Sequence, residues 1–410
     1  MLHMPLENIR VIDLTQVWAG PLASRVLADF GAEVIKVESI QRPDLTRYSH
    51  RPASPPNGKL YNQGGYFHQY NRNKYGITLN LAKSQGRDIF MQLVECSDVV
   101  VENYARRVIE SFRLSYEELI RVKPDIIVLS LNGYGNTGPY RDGVAFGSTI
   151  EAVSGVKSLI GYGDGAPIYC GATIADPLSA MYGVFAVLGA LAYRDETGKG
   201  QFIELSMHEA VDSIMEEATL EYTVGKHEPR QLGAHHPYFA PYGCYRCRNG
   251  DSWVTISVTS DEEWASLCKA VGNPALDAEK FSDPLSRWEN RDELDNLISE
   301  WTTRHDKFEV MSDLQKAGVP AGACINGQDI LQNPHLNERG YFWSVTCPDT
   351  GVYPQVGPAV KMSETPATLR LPPPALGEHN KYVLGELLGM STEDIAALEK
   401  EKIIGNEPVY

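Results

Sequence analysis

Asp176 stands in the stretch GATIADPLSAMYG, residues 171–183, between a glycine-led turn and a run of small apolar residues that reads as a helix. No basic residue adjoins it. Aspartate at the mouth of a helix makes a good N-cap, with Pro177 then at the first helical position. A capping carboxylate beside a cleft also stays available to a substrate, so the two roles are compatible. In TQVWAGPLAS, residues 15–24, a strand end, a Gly-Pro step and a helix start meet. The free N–H groups of a helix amino terminus suit phosphate, and a plain strand-to-helix turn explains the same residues.

Cationic loops form the third group. ENYARRVIE places Asn103, Arg106 and Arg107 after a strand-like run, NRNKYGITLNL carries Arg72, Asn73 and Lys74, and Arg42 follows VIKVES. Together they fit a polyphosphate ligand better than any one does, while each alone also reads as a solvated face. CYRC, with Cys244 and Cys247, is a single C-x-x-C with His235 and His236 nearby. A structural zinc site needs four ligands, so strand cysteines are the simpler reading. No metal site is expected.

These groups need a scaffold. IRVIDL, AEVIKVE, ITLNL, DVVVEN and DIIVLSLNGYG read as strands, and helical patterns such as AGPLASRVLADFGA and AKSQGRDIFMQLVECS separate them. Such alternation implies βαβ units and a mostly parallel, doubly wound sheet, whose ligands favour the carboxyl ends of strands. From about residue 225 to 330 the texture changes to a β-meander with helices, which predicts a separate small α+β unit. No G-x-G-x-x-G follows the strand that leads into TQVWAGPLAS, and the chain carries no G-x-S-x-G and no P-loop, which disfavours a nicotinamide oxidoreductase or an α/β-hydrolase.

The formal charge of −16 over 410 residues argues against nucleic acid as a partner. No apolar run stands out as a membrane span, and the opening MLHMPLENIRVIDLT lacks the layout of a secretory signal. Seven scattered cysteines do not make a disulfide framework. A reducing, cytoplasmic location is expected.

The ordered motifs PLENIRVIDLTQVWAGP, GAEVIKVES, NRNKYGITLNL, SDVVVENY, LNGYGNTGPY, GATIADPLSAMYG, NPHLNERGYF and LGEHNKYVLGELLG resemble the family III CoA-transferases. That group includes the formyl-CoA:oxalate, carnitine and arylsuccinate CoA-transferases. The resemblance implies an α/β fold with a Rossmann-like large domain built from both chain ends, 1–224 and 331–410, and a smaller inserted α+β domain, 225–330. It also implies an interlocked homodimer, with a hetero-oligomer with a related subunit as the alternative.

In chemistry, the resemblance makes Asp176 the nucleophile. A carboxylate attacks the thioester carbonyl and releases CoA thiolate, so the substrates are an acyl-CoA and a free carboxylic acid. No cofactor is needed, since the CoA thioester is itself a substrate. Val17, Trp18 and Ala19 fall on the segment lining the thioester. Trp18 replaces a glutamine of some relatives, which favours a larger or flatter acyl group. Leu79, Asn73, Lys74, Asn103 and Tyr134 match CoA-contacting positions, and Arg106 and Arg42 supply charge, the latter in place of an arginine that some relatives carry where Ser39 stands. Succinyl-CoA is the expected donor, with a dicarboxylic or aryl-substituted acceptor such as benzylsuccinate. The α-methylacyl-CoA racemases share the fold, but their His-Asp step falls on Phe146 and Gly147 here, and neither is a general base.

Overall fold

Six parallel strands carry the larger part of the chain. They are β1 (Arg10–Asp13), β2 (Glu33–Glu38), β3 (Lys74–Thr78), β4 (Val99–Glu102), β5 (Ile127–Asn132) and β6 (Phe202–Ser206), side by side in the order β3-β2-β1-β4-β5-β6. They are read from a computed structural model that describes residues 3–49, 58–162, 166–169 and 171–409. The order runs outward in both directions from the β1–β4 pair. That reversal opens a crevice at the carboxyl ends of these two strands.

Alternation along each strand explains why both faces are covered. Ile12, Ile35, Val100 and Val128 enter one core with Phe90 and Leu93, and the returning chain adds Val383, Leu384 and Ile395. Val11, Val34, Val99, Val101, Ile127 and Leu129 enter the other with Leu27, Val187 and Ala190. A strand buried on both sides must be apolar throughout, which is why VVV and IIVL are legible as strands. One register differs from expectation. ITLNL, 77–81, was expected as a strand, but pairing with β2 ends at Glu38↔Thr78 and begins at Lys74. Leu79 and Leu81 are buried core residues just past the strand.

The helix Ala175–Thr197 follows β5 in the chain and packs with Ala175, Val187, Ala190 and Leu191 in the second core. It corrects the expectation that nothing here has the character of a membrane span: it is long and apolar enough to cross a bilayer, with half of its most apolar window buried. Small residues face inward, while Met181, Tyr182, Phe185, Leu188 and Tyr193 are exposed, Phe185 by 77%.

Contacts divide the chain into two units. The first comprises Met1–Val156, Cys170–Leu220 and Glu338–Tyr410, and the second Lys157–Tyr169 and Glu221–Asn337. The second unit thus begins and ends a few residues outside 225–330, and it takes in a short excursion that no composition change marks. It carries the antiparallel sheet β7 (Tyr242–Arg246), β8 (Trp253–Ser257) and β9 (Ala321–Ala323) over a core of Val254, Ile256, Leu267, Phe281, Leu294 and Ile298. In the first unit β10 (Phe342–Cys347) and β11 (Gly351–Val356) form an antiparallel pair.

Charges are buried beneath the crevice. Lys74 Nζ is wholly enclosed and donates to Asp13 Oδ2 at 2.8 Å, Pro21 O at 3.0 Å and Asn71 Oδ1 at 2.9 Å. Burial would raise the Asp13 carboxyl, yet Lys74 and Lys36 together pull it down to about 2. Lys74→Met leaves that carboxylate with a single cation and is expected to cost about 3–5 kcal/mol. A urea-unfolding midpoint equal to that of the native chain would show that the pair contributes nothing.

Candidate active site

The loop leaving β1 is held residue by residue. Asp13 Oδ1 accepts the Thr15 N–H at 2.9 Å, and Lys36 Nζ donates to Thr15 O at 2.8 Å. Gln16 and Asn103 exchange two hydrogen bonds: the Gln16 N–H donates to Asn103 Oδ1, and Asn103 Nδ2 donates to Gln16 O, both at 2.8 Å. The Val17 N–H points to Asp44 Oδ2 at 3.3 Å, and Asp44 is also 3.3 Å from Lys36 Nζ. Val17 sits at φ 71°, a left-handed conformation that costs a β-branched residue of order 1–3 kcal/mol. The anchors on either side hold it there.

The chain then enters the helix Ala19–Asp29, and the Ala19 N–H bonds the Asp176 carboxylate. Asp176 is therefore set between two helix amino termini. It is not the N-cap expected from sequence. Ile174 occupies that position and Asp176 is the second helical residue, with Pro177 third. The start comes earlier because the second carboxylate, Glu151, takes the cap's task from outside: its Oε1 accepts the Ile174 N–H at 2.6 Å.

Asp176 is 8% exposed. Burial pushes its carboxyl up from 3.8 to about 6, the Ala19 N–H opposes this, and Glu151 adds to the rise. Space for the carboxylate comes from Gly147. A Cβ there would fall on Asp176 Oδ2 and lie 2.5 Å from Thr173 Oγ1. Position 147 thus has a use that its lack of acid-base chemistry conceals.

Trp18 continues the site as an aromatic wall. Its ring lies 5.7 Å from Tyr66 and 5.6 Å from Tyr70, and those two are 5.1 Å apart at 78°. Both tyrosines come from the helix Gly65–Asn71, where i, i+4 spacing puts them on one face. Burial raises the Tyr70 hydroxyl to about 12, with Arg25 opposing and Asp176 adding. Tyr66, Tyr70, Glu151 and Asp44 were not singled out from sequence. The Y-x-x-x-Y spacing in GYFHQYN was the available signal for the first two.

The implied CoA contacts divide sharply. Val17, Trp18 and Ala19 form the loop end and helix start whose Ala19 N–H reaches Asp176, and Asn103 holds that loop at Gln16. Asn73, Lys74 and Leu79 do not present their side chains there. Asn73 Nδ2 is spent on Asp29 and Thr368 O at 2.8 Å each, Lys74 on the contacts given above, and Leu79 is a core residue. Lys74 also opens β3, so it starts from the amino end of the sheet, away from the crevice. Arg42 is exposed. Arg106 binds Glu110 at 2.7 Å and Asn136 O at 2.9 Å. Tyr134 lines a cavity of about 430 Å³ with Thr137, Tyr140, Glu204 and His208, within the range of ligand sites. Among the described residues no group of three His, Cys, Asp or Glu side chains could hold a metal ion.

Gly147→Ala would force the Asp176 carboxylate from its place. Turnover is expected to fall about 100-fold, as for a misplacement of about 1 Å, with little change in melting temperature. Activity within about twofold of native would show that the carboxylate position is not critical.

Comparison with known proteins places this geometry in a family. A model described as CoA-transferase family III matches residues 6–380. The succinyl-CoA–D-citramalate CoA-transferase of Chloroflexus aurantiacus is 34% identical, covering 98% of each chain. The succinyl-CoA:mesaconate CoA-transferase of Haloarcula marismortui is 36% identical over 93% of this chain and 96% of its own. The crystal structure of a CAIB/BAIF family protein from Brucella suis superposes with a TM-score of 0.85 at 30% identity, over 94% of this chain and 99% of the other. A carboxylate buried at the switch point of a doubly wound sheet is thus set in a chain that belongs to CoA-transferase family III and is a CoA-transferase.

Proposed function

We propose that this transferase moves CoA from succinyl-CoA to a dicarboxylic acid through covalent intermediates on Asp176. One observation carries the reading: a nearly buried carboxylate, without a cationic partner among the described residues, held by the backbone N–H groups of Ala19 and of Asp176 itself at the sheet's switch point. The succinyl donor and diacid acceptor rest on the relatives, whose names pair succinyl-CoA with D-citramalate or mesaconate.

The steps balance without a proton or a metal. Asp176 Oδ attacks the thioester carbonyl, the C–S bond breaks, and CoA leaves as thiolate with a mixed anhydride behind. The thiolate attacks the aspartyl carbonyl of that anhydride, giving aspartyl-CoA thioester and freeing succinate. The acceptor carboxylate then displaces the thiolate, and the thiolate attacks the acceptor's acyl carbon, which restores Asp176. Each return of negative charge to the aspartate is met by the fixed Ala19 N–H, which needs no reorganisation. Partial desolvation raises the nucleophile's basicity, and a carboxyl at about 6 stays mostly ionised at neutral pH.

In the homodimer that the family resemblance implied, a second copy of this chain covers the exposed apolar face of Ala175–Thr197. An uncovered run of Met181, Tyr182, Phe185, Leu188 and Tyr193 supports this.

Ionised Asp176 is the active form, so kcat/KM should rise about tenfold per pH unit below 6 and level off above it. Asp176→Asn should abolish transfer, and hydroxylamine with succinyl-CoA should leave a hydroxamate at residue 176 of the native chain only. Full activity in the variant, or a flat profile between pH 4 and 6, would refute the covalent role. Phe185→Glu should convert the dimer to a monomer in light scattering, and an unchanged mass would remove this face from the interface.

A further inference from the structure

Arg25 is a buried cation with an unfilled hydrogen-bonding edge. It is 8% exposed and lies on the helix that begins at Ala19, where Trp18, Leu22 and Arg25 fall on one face at i, i+4 and i+7. Arg25 Nη1 donates to Gln69 O at 3.1 Å, on the helix that carries Tyr66 and Tyr70. Among the described residues Arg25 Nε has no hydrogen-bond partner.

The neighbouring anion does not satisfy it. Asp29 Oδ2 is 3.7 Å from Arg25 Nε, beyond hydrogen-bond length. That carboxylate already accepts Arg72 Nε at 3.0 Å, Arg72 Nη2 at 2.7 Å and Asn73 Nδ2 at 2.8 Å. Arg370 stands close enough to feel the same carboxylate. Glu33, the next acid, is bound to Arg10 at 2.8 Å. Four guanidiniums, Arg10, Arg25, Arg72 and Arg370, therefore share the two carboxylates Asp29 and Glu33, and the excess is positive. Burial, followed by Arg72, pushes the Arg25 guanidinium down to about 10. An enclosed cation so poorly compensated calls for an anion from outside.

The position fits a particular anion. Arg25 binds the backbone of Gln69 beside Tyr70, and Tyr70 lies within electrostatic range of both Arg25 and Asp176. Ala19 holds the Asp176 carboxylate, and Arg25 is six residues further along the same helix, about 9 Å in axial rise. That separation suits a short acyl chain whose carbonyl stands at Asp176 and whose far end carries a second carboxylate.

We propose that Arg25 is the receptor for the distal carboxylate of the dicarboxylic acyl group, and so sets this enzyme's selectivity for diacids over monoacids. The unpartnered Nε edge of the guanidinium matches a carboxylate as a two-bond fork; that nitrogen is enclosed and faces Asp29 at 3.7 Å, so the side chain turns from Asp29 to meet the ligand. This assignment rests on transfer through Asp176, and the test separates the two. The native chain and Arg25→Met are compared with succinyl-CoA and with butyryl-CoA, which has the same chain length without the second carboxylate. The succinyl-to-butyryl ratio of kcat/KM should fall about 100-fold in the variant. Arg25→Lys, which keeps the charge but not the fork, should give an intermediate ratio. An unchanged ratio in either variant overturns the assignment, and so does a native chain that does not favour succinyl-CoA. Should Arg25→Met fail to fold, the native chain and Arg25→Lys decide alone. Hydroxamate at residue 176 from both thioesters keeps the transfer reading intact whatever the ratio shows. Its absence in the native chain overturns that reading and this assignment with it.

Discussion

A carboxylate withdrawn from water and given only backbone N–H groups, those of Ala19 and of Asp176 itself, in return is the constraint around which this site is built. Moving the Asp176 carboxyl from 3.8 to about 6 corresponds to about 3 kcal/mol of stability forgone at neutral pH. The sign follows from the direction of the shift. The loss is absent below 3.8, grows as pH rises, and is complete above 6. An arginine or lysine beside Asp176 would remove that loss and also quench the carboxylate proposed as nucleophile. The fold supplies the weaker compensation instead, and Glu151 sharpens the effect by placing a second negative charge nearby.

Holding the Ala19 N–H still is a separate task, and buried ions perform it. Asp13, Asp44, Lys36 and Lys74 are fully enclosed, an expensive arrangement unless every charge is paired and hydrogen-bonded. Here each one is. Their bonds end on the backbone of Thr15 and Val17 or on the first turn of the helix that follows. Asn103 completes the set from β4 by fixing Gln16. The strained Val17 is the visible outcome: a loop free to relax would leave the left-handed region and carry the N–H away from Asp176. The same four charged side chains thus belong to the buried core and hold the N–H that meets Asp176.

What the sequence discloses follows from the range of the interactions involved. Strands buried on both faces announce themselves within a few residues, so the alternation of β1, β2, β4 and β5 with helices was legible. So was Asp176 at a helix start, since turn and helix signals are local. The cap assignment failed by two residues, because Glu151 satisfies Ile174 from 23 positions away. Arg72, Asn73 and Lys74 read as a cationic loop for the same reason. Their partners, Asp29 and Asp13, lie 43 to 61 residues off in sequence, and nothing local distinguishes a basic residue bound for the interior from one bound for phosphate. Gly147 is the inverse case. A residue judged only by the chemistry it lacks turns out to matter for the volume it leaves empty.

The proposed transfer through one covalent aspartate imposes a further condition that links substrate choice to helix geometry. Donor and acceptor occupy the same acyl pocket in turn, so any group that recognises one must accommodate the other. A receptor on a loop could adapt to each. Arg25 belongs to the rigid helix whose first N–H fixes the nucleophile, and its distance from that N–H is set by helical rise rather than by loop conformation. Two diacids of similar length can then share the pocket, whereas a monoacid leaves the cation buried and unpaired. In this proposal discrimination arises from that unmet charge more than from any clash, in the way that a site built to bind a polar group rejects the analogue lacking it. The same helix would therefore hold the reacting carboxylate at its first turn and measure the acyl chain by its second.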